Sequence, residues 1–99
     1  MAEPGHLQVT VRYFAAARAA AGVSEETLSP PAAPAGTDKP EMVSTVGSVV
    51  AMIAARHGSG LVRVLARCSY LLDEVAVHGP STPVRDGQVL DVLPPFAGG

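Results

Sequence analysis

The chain has 99 residues, of which 47% are hydrophobic, and this size and composition predict a single folded domain, residues 1–99. Its formal net charge is −2, so we expect no nucleic acid among its partners, because phosphate binding requires a basic surface. No apolar run approaches the length of a membrane span, so we expect no membrane association, and the solitary Cys68 favours a reducing, cytoplasmic location.

The first half of the chain predicts two strands, a short helix and a loop. Residues 7–14 alternate apolar and polar side chains, as a half-buried strand does. Residues 15–21 are almost all alanine and predict a short helix that Gly22 ends. Residues 24–29 are a weaker strand, which we place at a sheet edge. Residues 30–42 contain four prolines, and we interpret them as a surface loop.

The main helix is predicted over residues 45–57. Ser44 or Thr45 can cap its beginning, and Gly58 is suited to its end. The next segment, residues 61–68, is ambiguous and is compatible with one or two further helical turns. The main helix carries a single apolar stripe that consists of Val46, Val49, Val50, Ile53 and His57.

The second half of the chain otherwise predicts strands. Residues 69–72 and 74–78 are strand pieces on either side of Asp73, and residues 83–87 indicate a turn. Residues 88–93 are apolar on both faces, so we expect them to form a central strand. The predicted fold class is therefore α+β, with a mixed sheet and one main helix packed on one of its faces.

Few residues inside the predicted domain are candidates for catalysis, metal ligation or cofactor binding. The sequence lacks both glycine-rich phosphate-binding motifs, and its histidines are far apart, so we expect neither a bound cofactor nor a metal site. Cys68 is interpreted as a small buried side chain. The acidic pairs Glu25–Glu26 and Asp73–Glu74 are interpreted as solvated surface groups. The arginines are interpreted as scattered surface charges that can contribute to docking an acidic partner: Arg12, Arg18, Arg56, Arg63, Arg67 and Arg85.

The end of the chain is its most informative feature. Pro94 and Pro95 cannot donate hydrogen bonds to a sheet, so they end the last strand and direct the chain away from the body. Phe96, a large apolar side chain on such a tail, is typical of an anchor that fills a partner's pocket. Gly98 and Gly99 carry no side chains and can pass through a narrow cleft. We therefore predict a flexible tail over residues 94–99, with Pro94, Pro95, Phe96, Ala97 and Gly98 binding a partner and the Gly99 carboxyl group as the reactive site.

Three segments carry a resemblance to a known family. They are residues 11–18 with Ala21-Gly22 (Val-Arg-Tyr-Phe-Ala-Ala-Ala-Arg), the helix over residues 45–57, and residues 83–99, which end in Pro-Pro-Phe-Ala-Gly-Gly. Together they resemble the sulfur carriers of the MoaD and ThiS type, which are ubiquitin-like β-grasp proteins. MoaD is the small subunit of molybdopterin synthase. The resemblance implies a β-grasp fold in which the first and last strands lie parallel at the centre of the sheet.

The resemblance also implies a function and partners. An E1-like enzyme that uses ATP would adenylate the Gly99 carboxylate, and a sulfur donor protein would convert it to a thiocarboxylate. The tail would then enter the large, MoaE-type subunit of a heterotetrameric synthase and give its sulfur to a cyclic pyranopterin during molybdenum cofactor synthesis. The chain would bind no cofactor and would catalyse nothing alone. Three alternatives stay open: a carrier for thiamine or cysteine synthesis, a ubiquitin-like protein modifier, and a binding module whose tail only docks.

Overall fold

The structure, a computed structural model, describes residues 7–95, with residues 39 and 40 described as backbone only. Within that range the chain forms eight strands and three helices. In chain order these are β1 Val9–Tyr13, α1 Ala15–Ala21, β2 Glu25–Leu28, β3 Ala33–Gly36, β4 Lys39–Thr45, α2 Val46–His57, α3 Ser59–Leu65, β5 Ser69–Leu72, β6 Val75–Ala76, β7 Pro83–Arg85 and β8 Val89–Leu93.

The main sheet has five strands in the order β2-β1-β8-β5-β6. At its centre β1 and β8 run parallel, with Val11 beside Leu90, and the other neighbours are antiparallel. This confirms both the central position predicted for residues 88–93 and the β-grasp arrangement. Alternate residues of β1 and β8 are buried in one core with the apolar sides of the helices, because successive strand residues point to opposite faces. That core consists chiefly of Val9, Val11, Tyr13, Leu90 and Val92 from the sheet and Val49, Ile53, Leu61 and Leu65 from the helices.

Helix α2 forms where the apolar stripe predicts it. The Thr45 hydroxyl caps the helix by accepting a hydrogen bond from the Ser48 amide at 3.1 Å, which satisfies one of the unpaired donors of the first turn. Val46, Val49 and Ile53 of the stripe are buried. The ambiguous segment that follows begins inside a third helix, α3, which covers the core with Leu61 and Leu65.

The prediction of a surface loop over residues 30–42 is wrong. Residues 33–36 and 39–45 form the antiparallel pair β3 and β4 of a second sheet, whose order is β3-β4-β7. Pro34 is tolerated because β3 lies at the edge of this sheet and the register shifts between Pro34 and Gly36. Prolines in sheets occur at edges and irregularities of this kind, where no ladder hydrogen bond is lost.

The segment 83–87 was predicted as a turn, and this is correct only for its second half. Pro83–Arg85 forms the edge strand β7, in which Pro83 is the first residue and pairs with Thr45 of β4. Asp86 and Gly87 make the turn, and Gly87 adopts a φ of 86°, a conformation that favours glycine. The Asp86 carboxylate also accepts a hydrogen bond from the Gln8 amide at 2.8 Å, which ties this turn to the start of β1.

The hairpin around Asp73 is present and strained. Leu72 of β5 pairs with Val75 of β6, so Asp73 and Glu74 form a two-residue turn with φ values of 47° and 69°. Positive φ at both central positions is typical of a type I′ turn, which normally contains Asn-Gly or Asp-Gly. A glutamate therefore occupies a left-handed position at a cost in conformational energy. Asp73 offsets part of this cost, because its carboxylate accepts a hydrogen bond from the Val89 amide at 2.9 Å.

Candidate functional site

The predicted reactive end lies largely outside the described residues. Phe96, Ala97, Gly98 and Gly99 are not among them, so the predictions for these four residues remain predictions. Of the six-residue tail the structure describes Pro94 and Pro95, which directly follow β8. The site can therefore be characterised at its base, where the chain leaves the sheet.

The base of the tail is held by a central strand that is paired on both sides. Strand β8 is hydrogen-bonded to β1 on one side and to β5 on the other, and its residues Leu90 and Val92 are fully buried. The Val92 carbonyl accepts a further hydrogen bond from the Phe14 amide at 3.3 Å, beside the start of α1. Because the next residues after Leu93 are prolines, the ladder ends there. The point of exit is thus fixed next to α1 and the end of α3.

A groove opens at this point of exit, and we call it the exit groove. Its volume is about 630 Å³. Pro94 and Pro95 form part of its wall, so it is continuous with the base of the tail. The groove is lined by Ala16 of α1, by Arg63, Val64, Ala66 and Arg67 of α3 and the segment after it, and by the two prolines.

The sheet face opposite the helices carries a buried carboxylate that sequence reasoning missed. Asp91 lies in β8 directly beside Arg12 of β1, and the Arg12 guanidinium donates two hydrogen bonds to it, at 2.6 and 2.8 Å. The Asp91 side chain is only 7% exposed, whereas that of Arg12 is 41% exposed. The hydrogen bonds from Arg12 to Asp91, followed by their charge attraction, raise the pKa of Arg12 above its ordinary value. The sequence signal was an acidic residue inside an otherwise apolar strand.

The interpretation of Glu25 and Glu26 as two solvated carboxylates is wrong for Glu26. Glu26 packs under α2, where its carboxylate accepts hydrogen bonds from the Tyr13 hydroxyl at 2.5 Å and from Arg56 Nε at 2.9 Å. The His57 Nε2 atom lies 2.5 Å from the same carboxylate, and the His57 ring meets the Tyr13 ring edge-on. The Glu26 side chain is 12% exposed, while its neighbour Glu25 is exposed, as predicted. We call Tyr13, Glu26, Arg56 and His57 the Glu26 cluster.

The pKa values in the Glu26 cluster follow from burial and these contacts. Burial opposes the ionisation of Glu26 and is the largest influence on it, but the Tyr13 and His57 contacts and the Arg56 charge outweigh it, so its pKa lies below the ordinary value. Burial, together with the bond to Glu26, raises the pKa of the Tyr13 hydroxyl far above the physiological range. Glu26 is therefore charged and Tyr13 is neutral at neutral pH. The cluster ties β1, β2 and α2 together, with Tyr13, Glu26 and His57 largely buried and Arg56 at the surface.

Cys68 occupies the structural role expected of it. Its thiol donates a hydrogen bond to the Val64 carbonyl at 3.2 Å, and partial burial raises the pKa of the thiol. A raised pKa lowers the fraction of reactive thiolate. Burial likewise raises the pKa of the nearby Tyr70 to about 12. Cys68 thus has none of the features of an activated nucleophile.

Residues 7–95 contain neither a metal-binding cluster nor a membrane-spanning helix. No group of three or more His, Cys, Asp or Glu side chains in that range is arranged to hold a metal ion. None of the helices found there has both the length and the apolar character that a membrane-spanning helix requires.

Comparison with known proteins identifies the fold and the family. Residues 11–99 match the model of the ThiS family, and this match includes the terminal Gly98 and Gly99. Molybdopterin converting factor subunit 1 from Pyrococcus furiosus is 26% identical, with a TM-score of 0.69 over 91% of this chain and 99% of that one. No curated protein sequence matches the chain at a significant level.

Two more solved structures are similar in fold. The complex of subunits 1 and 2 of molybdopterin-converting factor from Helicobacter pylori 26695 contains a chain that is 22% identical, with a TM-score of 0.61 over 94% of this chain and 100% of that one. The small archaeal modifier protein 1 from Methanosarcina acetivorans is also 22% identical, with a TM-score of 0.72 over 95% of this chain and 98% of that one. These neighbours have the ubiquitin-like β-grasp fold.

Proposed function

This chain belongs to the ThiS family of ubiquitin-like β-grasp sulfur carriers, and we propose that it is the sulfur-carrying small subunit of a molybdopterin synthase. The observation that carries the proposal is the tail that follows β8. A central strand with partners on both sides leads through Pro94 and Pro95 into a Gly98-Gly99 end that the family match includes. The similarity to a molybdopterin converting factor subunit 1 supports the molybdopterin pathway.

The proposed chemistry takes place at the Gly99 carboxylate. A free carboxylate is a poor electrophile, so an activating enzyme joins it to the adenylyl group of ATP and pyrophosphate leaves. A sulfur donor then displaces AMP and leaves a thiocarboxylate on Gly99. In the synthase the large subunit receives the tail, and the sulfur passes to a cyclic pyranopterin. ATP is bound by the activating partner, which is consistent with the lack of a phosphate-binding motif in this chain.

The folded body of the protein determines where the tail begins. Strand β8 fixes where the tail begins, and a tail of six residues reaches about 20 Å at full extension. That length lets the Gly99 carboxyl group enter a deep active site while the sheet stays at the entrance. The complex of subunits 1 and 2 from Helicobacter pylori supports a large subunit as the partner, and the proposed assembly is a cytoplasmic heterotetramer.

The direct test is the intact mass of the full-length protein. After incubation with the activating enzyme, ATP and a sulfur donor, we expect the mass gain that corresponds to replacing one oxygen atom with sulfur. Fragmentation should place the change at Gly99. Omission of ATP, and a variant that lacks Gly98 and Gly99, are the matched controls, and neither should gain mass. An unchanged mass with enzymes that modify a known carrier would refute the proposal.

A second measurement separates the pathways. The thiocarboxylated protein is mixed with the large subunit and the cyclic pyranopterin, and we expect it to return to the carboxylate mass as the dithiolene product appears. If sulfur is transferred only in the presence of enzymes of thiamine or cysteine synthesis, the chain is a sulfur carrier for that pathway instead. Conjugates that join Gly99 to lysine side chains of other proteins would instead indicate a modifier. Retained function after removal of Gly98 and Gly99 would indicate a docking module.

A further inference from the structure

We propose that the exit groove is a docking surface for an acidic, partly apolar segment of the large subunit, and that this surface acts in addition to the tail. The inference rests on the function proposed above and names where the same partner binds. Two independent properties of the groove support it, namely the distribution of charge over the fold and the chemistry of the groove wall.

Charge is segregated between the helices and the rest of the chain. The protein as a whole is acidic, yet no Asp or Glu occurs between residues 42 and 72, and none occurs between residues 13 and 24. These two stretches include all three helices and four arginines: Arg18, Arg56, Arg63 and Arg67. Glu26 of β2 pairs with Arg56, and the other three arginines leave the helical side with an excess of positive charge, which attracts partners of opposite sign.

Two of these arginines lie in the groove wall and are exposed. Arg12, Arg56 and Arg85 each bind a carboxylate of this chain, but among residues 7–95 no carboxylate lies within salt-bridge distance of Arg63 or Arg67. Arg63 lies in the last turn of α3, where the helix dipole favours a positive charge. The dipole does not account for Arg67, which lies beyond the helix and faces the same groove.

The remainder of the groove wall is apolar. Ala16, Ala66 and Pro95 are exposed, and Val64 and Pro94 are partly exposed. The volume of about 630 Å³ lies in the range of about 300–1,000 Å³ that is typical of ligand-binding pockets. Apolar lining residues beside two arginines are complementary to an apolar side chain that is flanked by carboxylates.

The position of the groove identifies the occupant. Pro94 and Pro95 belong both to the tail and to the groove wall, so a protein that takes up the tail through a cleft must contact the residues around them. The tail reaches about 20 Å at most, which holds the partner's cleft close to this surface. The activating enzyme also takes up the tail, but the large subunit is the partner that the complex of subunits 1 and 2 from Helicobacter pylori supports. We therefore assign the groove to the large subunit, and we expect carboxylates at the entrance of its cleft.

The test measures the dissociation constant between the full-length protein and the large subunit at two salt concentrations. In the first variant Arg63 and Arg67 are both replaced by glutamate. In the second, Ala16→Glu places a carboxylate in the groove and leaves both arginines intact. The matched control is Arg18→Glu, because Arg18 is an exposed arginine of α1 that does not line the groove. Circular dichroism verifies that each variant is folded.

We expect the double variant and Ala16→Glu to weaken binding by about tenfold or more at low salt, with a smaller loss at high salt, as for charges at the rim of an interface. Arg18→Glu should stay within about twofold of the wild type. An equal loss for Arg18→Glu would show that net charge alone is responsible and would overturn the proposal.

Unchanged dissociation constants in both groove variants, with normal thiocarboxylate formation at Gly99, would overturn the docking surface and leave the proposed function intact. The same variants are also titrated against the activating enzyme, and a loss of affinity for that enzyme alone would overturn the assignment of the occupant. If the wild-type protein binds no large subunit at all, the proposed function fails together with the docking surface.

Discussion

Replacement of Glu26 is the sharpest test of how this fold is held together. The Glu26 carboxylate accepts the hydrogen bond of the buried Tyr13 hydroxyl, and Glu26→Ala leaves that donor without its partner. An unsatisfied buried donor costs about 1–2 kcal/mol. The contacts with Arg56 and His57 add about 0.5–1 kcal/mol, because the exposed Arg56 is screened by solvent. We therefore expect Glu26→Ala to lower the free energy of unfolding by about 1.5–3 kcal/mol.

Thermal denaturation followed by circular dichroism measures this loss. For a domain of this size the expected decrease in melting temperature is about 10–20 °C. The matched control is Glu25→Ala, because Glu25 is the adjacent carboxylate of the same strand and is exposed; its effect should stay within about 0.5 kcal/mol. Glu26→Gln keeps an acceptor for Tyr13 and should fall between the two. Equal melting temperatures for the Glu25 and Glu26 alanine variants would refute this account of the cluster.

The same cluster predicts how stability depends on pH. The pKa of Glu26 is lower in the folded protein than its ordinary value, so the folded state favours the charged form and Glu26 contributes stability at neutral pH. This contribution begins to be lost below about pH 4.5, the ordinary pKa of a glutamate, and is lost fully as pH falls through the lower folded pKa. The stability difference between wild type and Glu26→Gln should therefore shrink as pH falls below about 4.5. A difference that grows as pH falls would contradict the sign of this shift.

Three further predictions concern other parts of the molecule. In urea denaturation Arg12→Ala should be more destabilising than Asp91→Ala, because the first leaves a buried carboxylate unpaired and the second leaves an arginine that can turn to solvent; the reverse order would contradict it. Glu74→Gly should raise the free energy of unfolding by about 1 kcal/mol in the same assay, since it relieves a left-handed φ, and a loss of stability would count against the turn assignment. Phe96→Ala should weaken binding to the large subunit by about 1–3 kcal/mol in calorimetry without changing the melting temperature; an unchanged affinity would exclude Phe96 as an anchor.

The elements that the sequence predicted correctly are those with a strong local pattern. The α2 stripe and its Thr45 cap, the alanine helix ended by Gly22, and the apolar strand β8 all depend on neighbours along the chain. Residues 30–42 failed because their structure depends on a distant partner. Strand β4 pairs with β7, about 40 residues later, and the prolines conceal this pairing because Pro34 lies where no ladder bond is needed.

In the candidate site, too, local sequence patterns predict some features, while others depend on residues that are distant in sequence. Alternation along a strand indicates that Glu25 and Glu26 face opposite sides, but only the packing of α2 decides which of them meets His57 and Tyr13. Asp91 and Arg12 are separated by 79 positions in sequence, so their pairing required the parallel register of β1 and β8. The exit groove could not be predicted either, because Ala16, Val64 and Pro94 come from three distant parts of the chain.

The position of β8 bears on the proposed carrier function, because the tail begins where this strand ends. If the tail followed an edge strand, a force that a partner exerts on the tail would act on a strand that is hydrogen-bonded on one side only. Strand β8 has two neighbours, with Leu90 and Val92 fully buried and Asp91 bound to Arg12. Displacing it would break two hydrogen-bond ladders and expose the centre of the core at once, so we expect its local opening to be costly. Pro94 and Pro95 therefore follow a strand that is held on both sides, and this is the property that the proposed carrier function requires of the base of its tail.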